Sequence, residues 1–273
     1  MFFDFFRYTV WILRWKTSVP KVRLLLTYFR ITFKYFLLVH LLKRPVTKER
    51  IFGRPISFFD YELFKLMFEE VFIAEEYRFH PTTESPRILD CGGNIGLPVL
   101  YFKMLYPAAR ITSFEASPNT FELLERNVRN NGFKDVELLN RVVWDREGEV
   151  PLYFNPQRPG DMGASTEREG IRPGTIAVRG IPLSSYLDEP VDFVKMDIEG
   201  SEDTVIQEVA RSGKMRMINE LRMEYHHHIR PDCDRLAGLL GAFETNGLGY
   251  QLSTFCRLEK NSYQQILLYA YRK

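Results

Sequence analysis

Past residue 86 the chain alternates short apolar runs with stretches of helical spacing. Arg87-Ile88-Leu89-Asp90 reads as a strand that ends in an acid, and Leu97 to Tyr106 as an apolar helix. Arg110 to Glu115 is β-rich and again ends in an acid. Ser117-Pro118 has the form of a helix start, with serine as N-cap and proline in the first position, and Phe121, Leu124 and Val128 supply that helix's apolar face. Further strands are expected at Val136 to Trp144, with Val150 to Phe154 beside it, at Val191 to Asp197, at Met215 to Tyr225 and at Tyr263 to Tyr271, with a short crossover helix over Thr204 to Val209. Strands that alternate with helices predict an α/β fold, a mainly parallel twisted sheet with helices on both faces.

The first 86 residues keep a different rhythm and divide into an extension, 1–50, and a helical lead-in with linker, 51–86, ahead of a main domain at 87–273. The extension is dense in Phe, Tyr, Trp and Leu. Its best apolar stretch, Val22 to Leu42, is interrupted by Arg23, Arg30 and Lys34, so no window is expected to span a bilayer, and no signal-peptide pattern is expected either. Arg23, Thr27, Arg30 and Lys34 fall on one narrow stripe of a helix whose remaining circumference is apolar, and Trp11 and Trp15 lie one turn apart. Such a helix either lies in a membrane interface with its arginines toward phosphates, or packs on the core or in a dimer interface with the stripe in water. In the lead-in, Phe64, Leu66, Met67, Val71 and Phe72 recur at helical spacing, with Glu69, Glu70, Glu75 and Glu76 between them, and Pro81 to Pro86 reads as a loop.

Charge sharpens this division. The whole chain carries +2, yet the first fifty residues hold eleven Lys and Arg against Asp4 and Glu49, a local +9 that leaves −7 on the other 223. A basic extension on an acidic body suggests an anionic partner, and an anionic membrane fits better than nucleic acid because no nucleic-acid motif is present. Three scattered cysteines, Cys91, Cys233 and Cys256, argue against a disulfide framework or a zinc site and suit a reducing, cytoplasmic setting, peripheral on an inner membrane face if the extension meets lipid.

Parallel α/β sheets bind ligands where their strands end. Here the first strand runs into Asp90-Cys91-Gly92-Gly93-Asn94-Ile95-Gly96. The spacing is not the dinucleotide fingerprint GxGxxG, and an acid directly before the turn suits a ligand with an ammonium and a sulfonium better than a pyrophosphate. That points to S-adenosylmethionine rather than a nicotinamide cofactor. Glu115, about twenty residues on at the next strand end, is placed to accept hydrogen bonds from ribose hydroxyls.

These residues resemble a known family. The loop from Asp90 to Gly96 is similar to the D-x-G-A-N-x-G loop of FkbM-type methyltransferases, with Gly93 in place of the usual alanine. The resemblance runs through Phe114-Glu115-Ala116, where Ala116 replaces a common proline, through Asn127, and through Val142-Val143-Trp144-Asp145. It ends in its most specific element, Val191-Asp192-Phe193-Val194-Lys195-Met196-Asp197-Ile198-Glu199-Gly200-Ser201-Glu202. The match covers about Ile51 to Glu224. It implies a Rossmann-like class I methyltransferase fold and S-adenosylmethionine held by Asp90, Gly92, Gly93, Asn94, Gly96, Glu115, Ala116, Val143, Trp144 and Asp197. It also implies methyl transfer to oxygen on a glycan, lipid or small natural product.

For the reaction itself, Lys195, Asp197 and Glu199 occupy alternate positions at a strand end, a costly grouping to bury unless it serves a site or an ion-pair network. Asp197 is assigned to the methyl group and the methionine ammonium, Lys195 to the acceptor hydroxyl, and Glu199 and Glu202 to acceptor binding or proton removal. Glu224-Tyr225-His226 is similar to the family's E-x-H at the end of its fifth strand, which makes Glu224 and His226 further catalytic candidates, with Glu220 on the same face. No ligand spacing points to a metal. The loop Gly160-Asp161-Met162-Gly163-Ala164-Ser165 is a candidate cover for the acceptor. Two rival readings remain, an inactive fold serving as a membrane-attached scaffold and a nicotinamide-dependent oxidoreductase. Acceptor identity and oligomeric state stay open.

Overall fold

The computed structural model describes residues 2–155, 165–166, 173–229, 234–254 and 264–273. The extension forms α1 (Phe2–Arg14) and α2 (Lys21–Lys34), and α2 continues as a wider π-helical turn through Tyr35–Leu41. The lead-in forms a hairpin, β1 (Lys48–Ile51) and β2 (Arg54–Ser57), then α3 (Tyr61–Phe68), which also widens into a π-helical turn at Glu69–Ala74. Asp60 caps α3 by accepting from the Leu63 amide at 2.9 Å. The hairpin turns on Phe52 and Gly53, both at positive φ, the twist a two-residue turn requires.

The main domain is a seven-stranded sheet. Its chain order is β3 (Arg87–Cys91), α4 (Leu97–Leu105), β4 (Arg110–Phe114), α5 (Pro118–Asn130), β5 (Val136–Leu139), then three strands of a side sheet, β6 (Val142–Trp144), β7 (Gly148–Phe154) and β8 (Gly174–Pro182), then β9 (Val191–Met196), α6 (Glu202–Arg211), β10 (Ile218–His227), α7 (Leu236–Thr245), β11 (Leu248–Ser253) and β12 (Gln264–Arg272). The spatial order is β11-β12-β10-β9-β3-β4-β5, with β3, β4, β5, β9 and β10 parallel and β12 antiparallel to both its neighbours. This is the mainly parallel Rossmann-like sheet expected. The winding reverses between β3 and β9, so the crevice for a ligand lies at their carboxyl ends.

Three expectations need correction. The strand expected over Val136 to Trp144 is two strands in different sheets. The chain breaks at Asn140, whose Nδ2 donates to the Glu115 and Ala116 carbonyls at 2.8 and 3.1 Å, and β6 leaves to pair with β8. The run near Val150 pairs with β8 and not with that strand. Ser117 stands at the N-cap of α5 with Pro118 first in the helix, as expected; its hydroxyl accepts from Thr120 and its amide donates to Glu115. The third correction concerns the helix running from Lys21 to Leu41, which is long and apolar enough to cross a membrane by length and composition, contrary to the expectation drawn from its three cations.

One apolar cluster joins the extension and lead-in to the sheet: Leu24, Tyr28 and Ile31 of α2 share it with Phe64, Phe68 and Phe72, with α4, and with Ile88 and Phe193. Helix α4 is buried from Leu97 to Lys103, as expected of a helix hydrophobic on all sides. Asn127 of α5 ties the hairpin to this core, accepting from the Ser57 amide and donating to the Ser57 and Ile95 carbonyls, each at 2.8 Å.

Candidate active site

A cavity of about 270 Å³ opens at the switch point, walled by the glycine turn, by Glu115 to Ser117, by Lys195, Asp197 and Glu199, and by Leu66, Glu70 and Tyr77 of the lead-in. The turn is shaped by close approach. Gly92 sits at φ 86°, and a Cβ there would collide with the Asp197 carbonyl; Gly96, at φ 89°, faces Leu124. Gly93 explains the departure from the usual alanine. A Cβ at that position would run into Ser113 Oγ, and Ser113 donates instead to Asp90 Oδ2 at 2.7 Å. Asn94 takes a left-handed φ of 47°, which asparagine tolerates, and its amide thereby reaches Glu115 Oε2 at 2.9 Å.

Lys195 is the centre of the strand-end charges. It is fully buried, donates to the Cys91 and Gly92 carbonyls, and lies 3.8 Å from Asp90 and 3.6 Å from Asp197. Burial works against its charge, but Asp197 and Asp90 outweigh it and hold the ammonium above its ordinary value. Its donors face the glycine turn and the two acids, a positioning role, and it lines the cavity. Asp90 is completely buried, and its Oδ1 accepts no hydrogen bond. Burial raises its carboxyl against the pull of Lys195 and Ser113.

The acceptor end is acidic. His226 is buried, with Nδ1 at 2.9 Å from Glu202 Oε1 and Nε2 at 3.5 Å from both Glu199 Oε2 and Glu224 Oε1. Glu202 also accepts from the Ile198 and Gly200 amides and is itself fully buried, so it orients the imidazole, in place of the acceptor binding or proton removal expected of it. Burial disfavours a charged His226, but Glu202, Glu224 and Glu199 outweigh it and raise the imidazole well above its usual range. Burial pushes Glu199 up to about 8; His226 pulls it down, and Asp197, Glu202 and Glu224 push further up. Glu199 holds a left-handed φ of 56°, a strained conformation for a side-chain-bearing residue, and its carbonyl accepts from Ser165. The ligand atoms of Asp197, Glu199 and His226 lie within 4.8 Å of one another, a grouping that spacing along the chain does not disclose.

Of the expected cofactor residues, Gly92, Asn94, Glu115, Ala116, Val143 and Asp197 line the cavity. Asp90, Gly93, Gly96 and Trp144 do not; Arg141 and Val142 stand beside Val143 instead. Glu220 lies away from the cavity, accepting from Tyr269 at 2.7 Å. Residues 160–164 of the proposed cover lie outside the described residues, while Ser165 bridges to Tyr153 and Thr166 lines the cavity. Leu66, Met67, Glu70, Val71, Tyr77 and Arg141 also line the cavity without having been expected there. Glu70, raised to about 9 by burial and by Glu76, Glu224 and Asp197, faces the cavity, and Tyr77 lies under Lys195, 5.3 Å from ring centre to Nζ. Glu70 was readable only as one of four glutamates on a helix; the π-helical turn at 69–74 distributes them.

The chemistry of this cavity fits S-adenosylmethionine. Glu115 keeps lone pairs free after accepting from Asn94 and Ser117, enough for two ribose hydroxyls. Two acids around one ammonium, Asp90 buried and Asp197 partly open to the cavity, leave a net negative charge for a cationic ligand. A model of the methyltransferase FkbM domain matches residues 90–252. The chain belongs to the FkbM methyltransferase family. Its FkbM domain is therefore a methyltransferase domain with S-adenosylmethionine as cofactor. Methyltransferase 1 of Beauveria bassiana is 28% identical over 51% of this chain and 64% of its own length. The methyltransferase sdnD of Sordaria araneosa is 27% identical over 53% of this chain and 68% of its own length. Among solved structures, M. jannaschii TYW2 in complex with AdoMet is 14% identical and covers 84% of this chain and 88% of that one, with a TM-score of 0.45.

Proposed function

We propose that this FkbM domain methylates a hydroxyl oxygen, on a glycan, a lipid or a small natural product. The observation that carries the reading is the pairing of Glu199 with His226 beside Asp197. S-adenosylmethionine brings the methyl group and its own leaving group, so the protein has to place the acceptor and take its proton. Glu202 fixes the imidazole from behind, which leaves Nε2 directed at Glu199 and Glu224. The acceptor's proton passes to Glu199 in its ionised form, which predominates only above about pH 8 and which the imidazolium of His226 favours. Tyr77, Glu70 and the apolar Leu66, Met67 and Val71 form the wall against which the acceptor lies.

Glu199→Gln and His226→Asn should each lower turnover at least ~100-fold with S-adenosylhomocysteine affinity unchanged. Full activity of either variant, or product methylated at nitrogen or carbon, would remove this reading. A second reading has its own observation: Asp197, Glu199 and His226 could together hold a divalent cation that binds the acceptor oxygen. Turnover unaffected by EDTA favours the proton-transfer pair; turnover lost to EDTA and restored by Mg²⁺ or Mn²⁺ favours ligation.

A further inference from the structure

Helix α2 is apolar on two opposite sides. Leu24, Tyr28 and Ile31 are buried on the enzyme, and the Tyr28 hydroxyl donates to Glu69 at 2.8 Å. On the far side, Val22, Leu26, Phe29 and Phe33 are 71, 67, 57 and 52% exposed, and Phe36 extends the row. The polar stripe was expected to face phosphates or water. Its cations are open to water, as one of those readings has it, and they are also tethered to the protein: Arg23 donates to the Phe52 carbonyl, Arg30 to the Arg50 carbonyl, and Lys34 pairs with Glu49 at 2.9 Å. Among the described residues, eleven of the fourteen exposed large hydrophobic side chains lie within the first 42 residues, with Trp11, Leu13 and Trp15 of α1 and its turn among them. A surface of this kind is not left to water in a free-standing domain.

We propose that the exposed face of α1 and α2 docks on an anionic lipid bilayer, lying in its interface. Charge decides the occupant. The apolar row is bracketed by exposed Arg14 and Lys16 at one end and exposed Lys43 and Arg44 at the other. Glu49 is buried against Lys34, so it offers these flanks no countercharge. A two-fold contact between copies would bring one copy's basic end against the other's, whereas an anionic headgroup layer neutralises both ends at once. The depth also suits. Tyr28 and Ile31 keep α2 on the enzyme, so only its outer face enters the acyl boundary, with Trp11 and Trp15 at headgroup level. Docking also serves the site: a groove from Trp11 past Leu252 and Leu267 ends at Tyr77 and Glu224, which both line the cofactor cavity.

The test is flotation of the full chain with vesicles of phosphatidylcholine alone and of phosphatidylcholine with phosphatidylserine. Binding is expected on the anionic vesicles, and Leu26→Ser with Phe33→Ser should weaken it at least ~10-fold while S-adenosylhomocysteine binding, measured separately, stays intact. Lys43→Glu with Arg44→Glu should remove the preference for phosphatidylserine, at about fivefold per charge. Quenching of tryptophan fluorescence by brominated lipid is expected as well. A chain that binds S-adenosylhomocysteine but ignores anionic vesicles overturns the proposal. So does vesicle binding indifferent to Leu26→Ser with Phe33→Ser, or a dimer in sedimentation that those substitutions dissolve. Resistance of the bound chain to alkaline carbonate would replace surface docking by a span.

Discussion

At Gly93 a single missing methyl group records how this cofactor loop is built. The glycine makes room for Ser113, and Ser113 satisfies one oxygen of a buried aspartate. Gly93→Ala should therefore cost about 1–3 kcal/mol in urea unfolding, and pairing it with Ser113→Ala should recover part of that loss. Glu115 works as a ligand group in waiting. Burial raises it to about 7, against hydrogen bonds from Ser117 and Asn94. Ribose hydroxyls prefer the ionised acceptor, so S-adenosylhomocysteine affinity should be full above neutrality and decline as pH falls through about 7. Calorimetry at pH 8 and at about pH 5.5 would show this slope, and Glu115→Gln should flatten it. Glu115→Ala should weaken binding by about 10- to 100-fold at every pH.

At the scale of elements, strand ends do the positioning. Lys195 on β9 braces the loop after β3 and the acid that follows β9. Lys195→Met would leave Asp90 buried without its cation, so a loss of about 3–5 kcal/mol, read as a lowered Tm, should accompany lost cofactor binding. The alternation of apolar runs made β3, β4, β9 and β10 legible, and the acids Asp90, Glu115 and Asp197 could be placed because an α/β sheet gathers its strand ends. The side sheet was not legible in the same way. Whether Val142 to Trp144 continues β5 or leaves it depends on Asn140 bonding to Glu115 and Ala116, a contact between residues more than twenty positions apart. The widened turn at 69–74 likewise depends on packing, so Glu70's place in the cavity could not be read from its spacing.

For the whole molecule, the extension and the catalytic sheet share one apolar cluster. Deleting residues 1–44 should therefore expose the lead-in aromatics, lower Tm and promote aggregation, with S-adenosylhomocysteine binding impaired although no deleted residue lines the cofactor cavity. Light scattering during a thermal ramp would check this.

The cavity has two walls drawn from different parts of the chain. The strand-end residues expected to hold the cofactor fall within residues 90–252, the span that the family model matches, while Leu66, Met67, Glu70, Val71, Tyr77 and Gln265 of the cavity lining stand outside it. Changes between residues 66 and 77 would reshape the wall proposed for the acceptor while leaving the strand ends as they are.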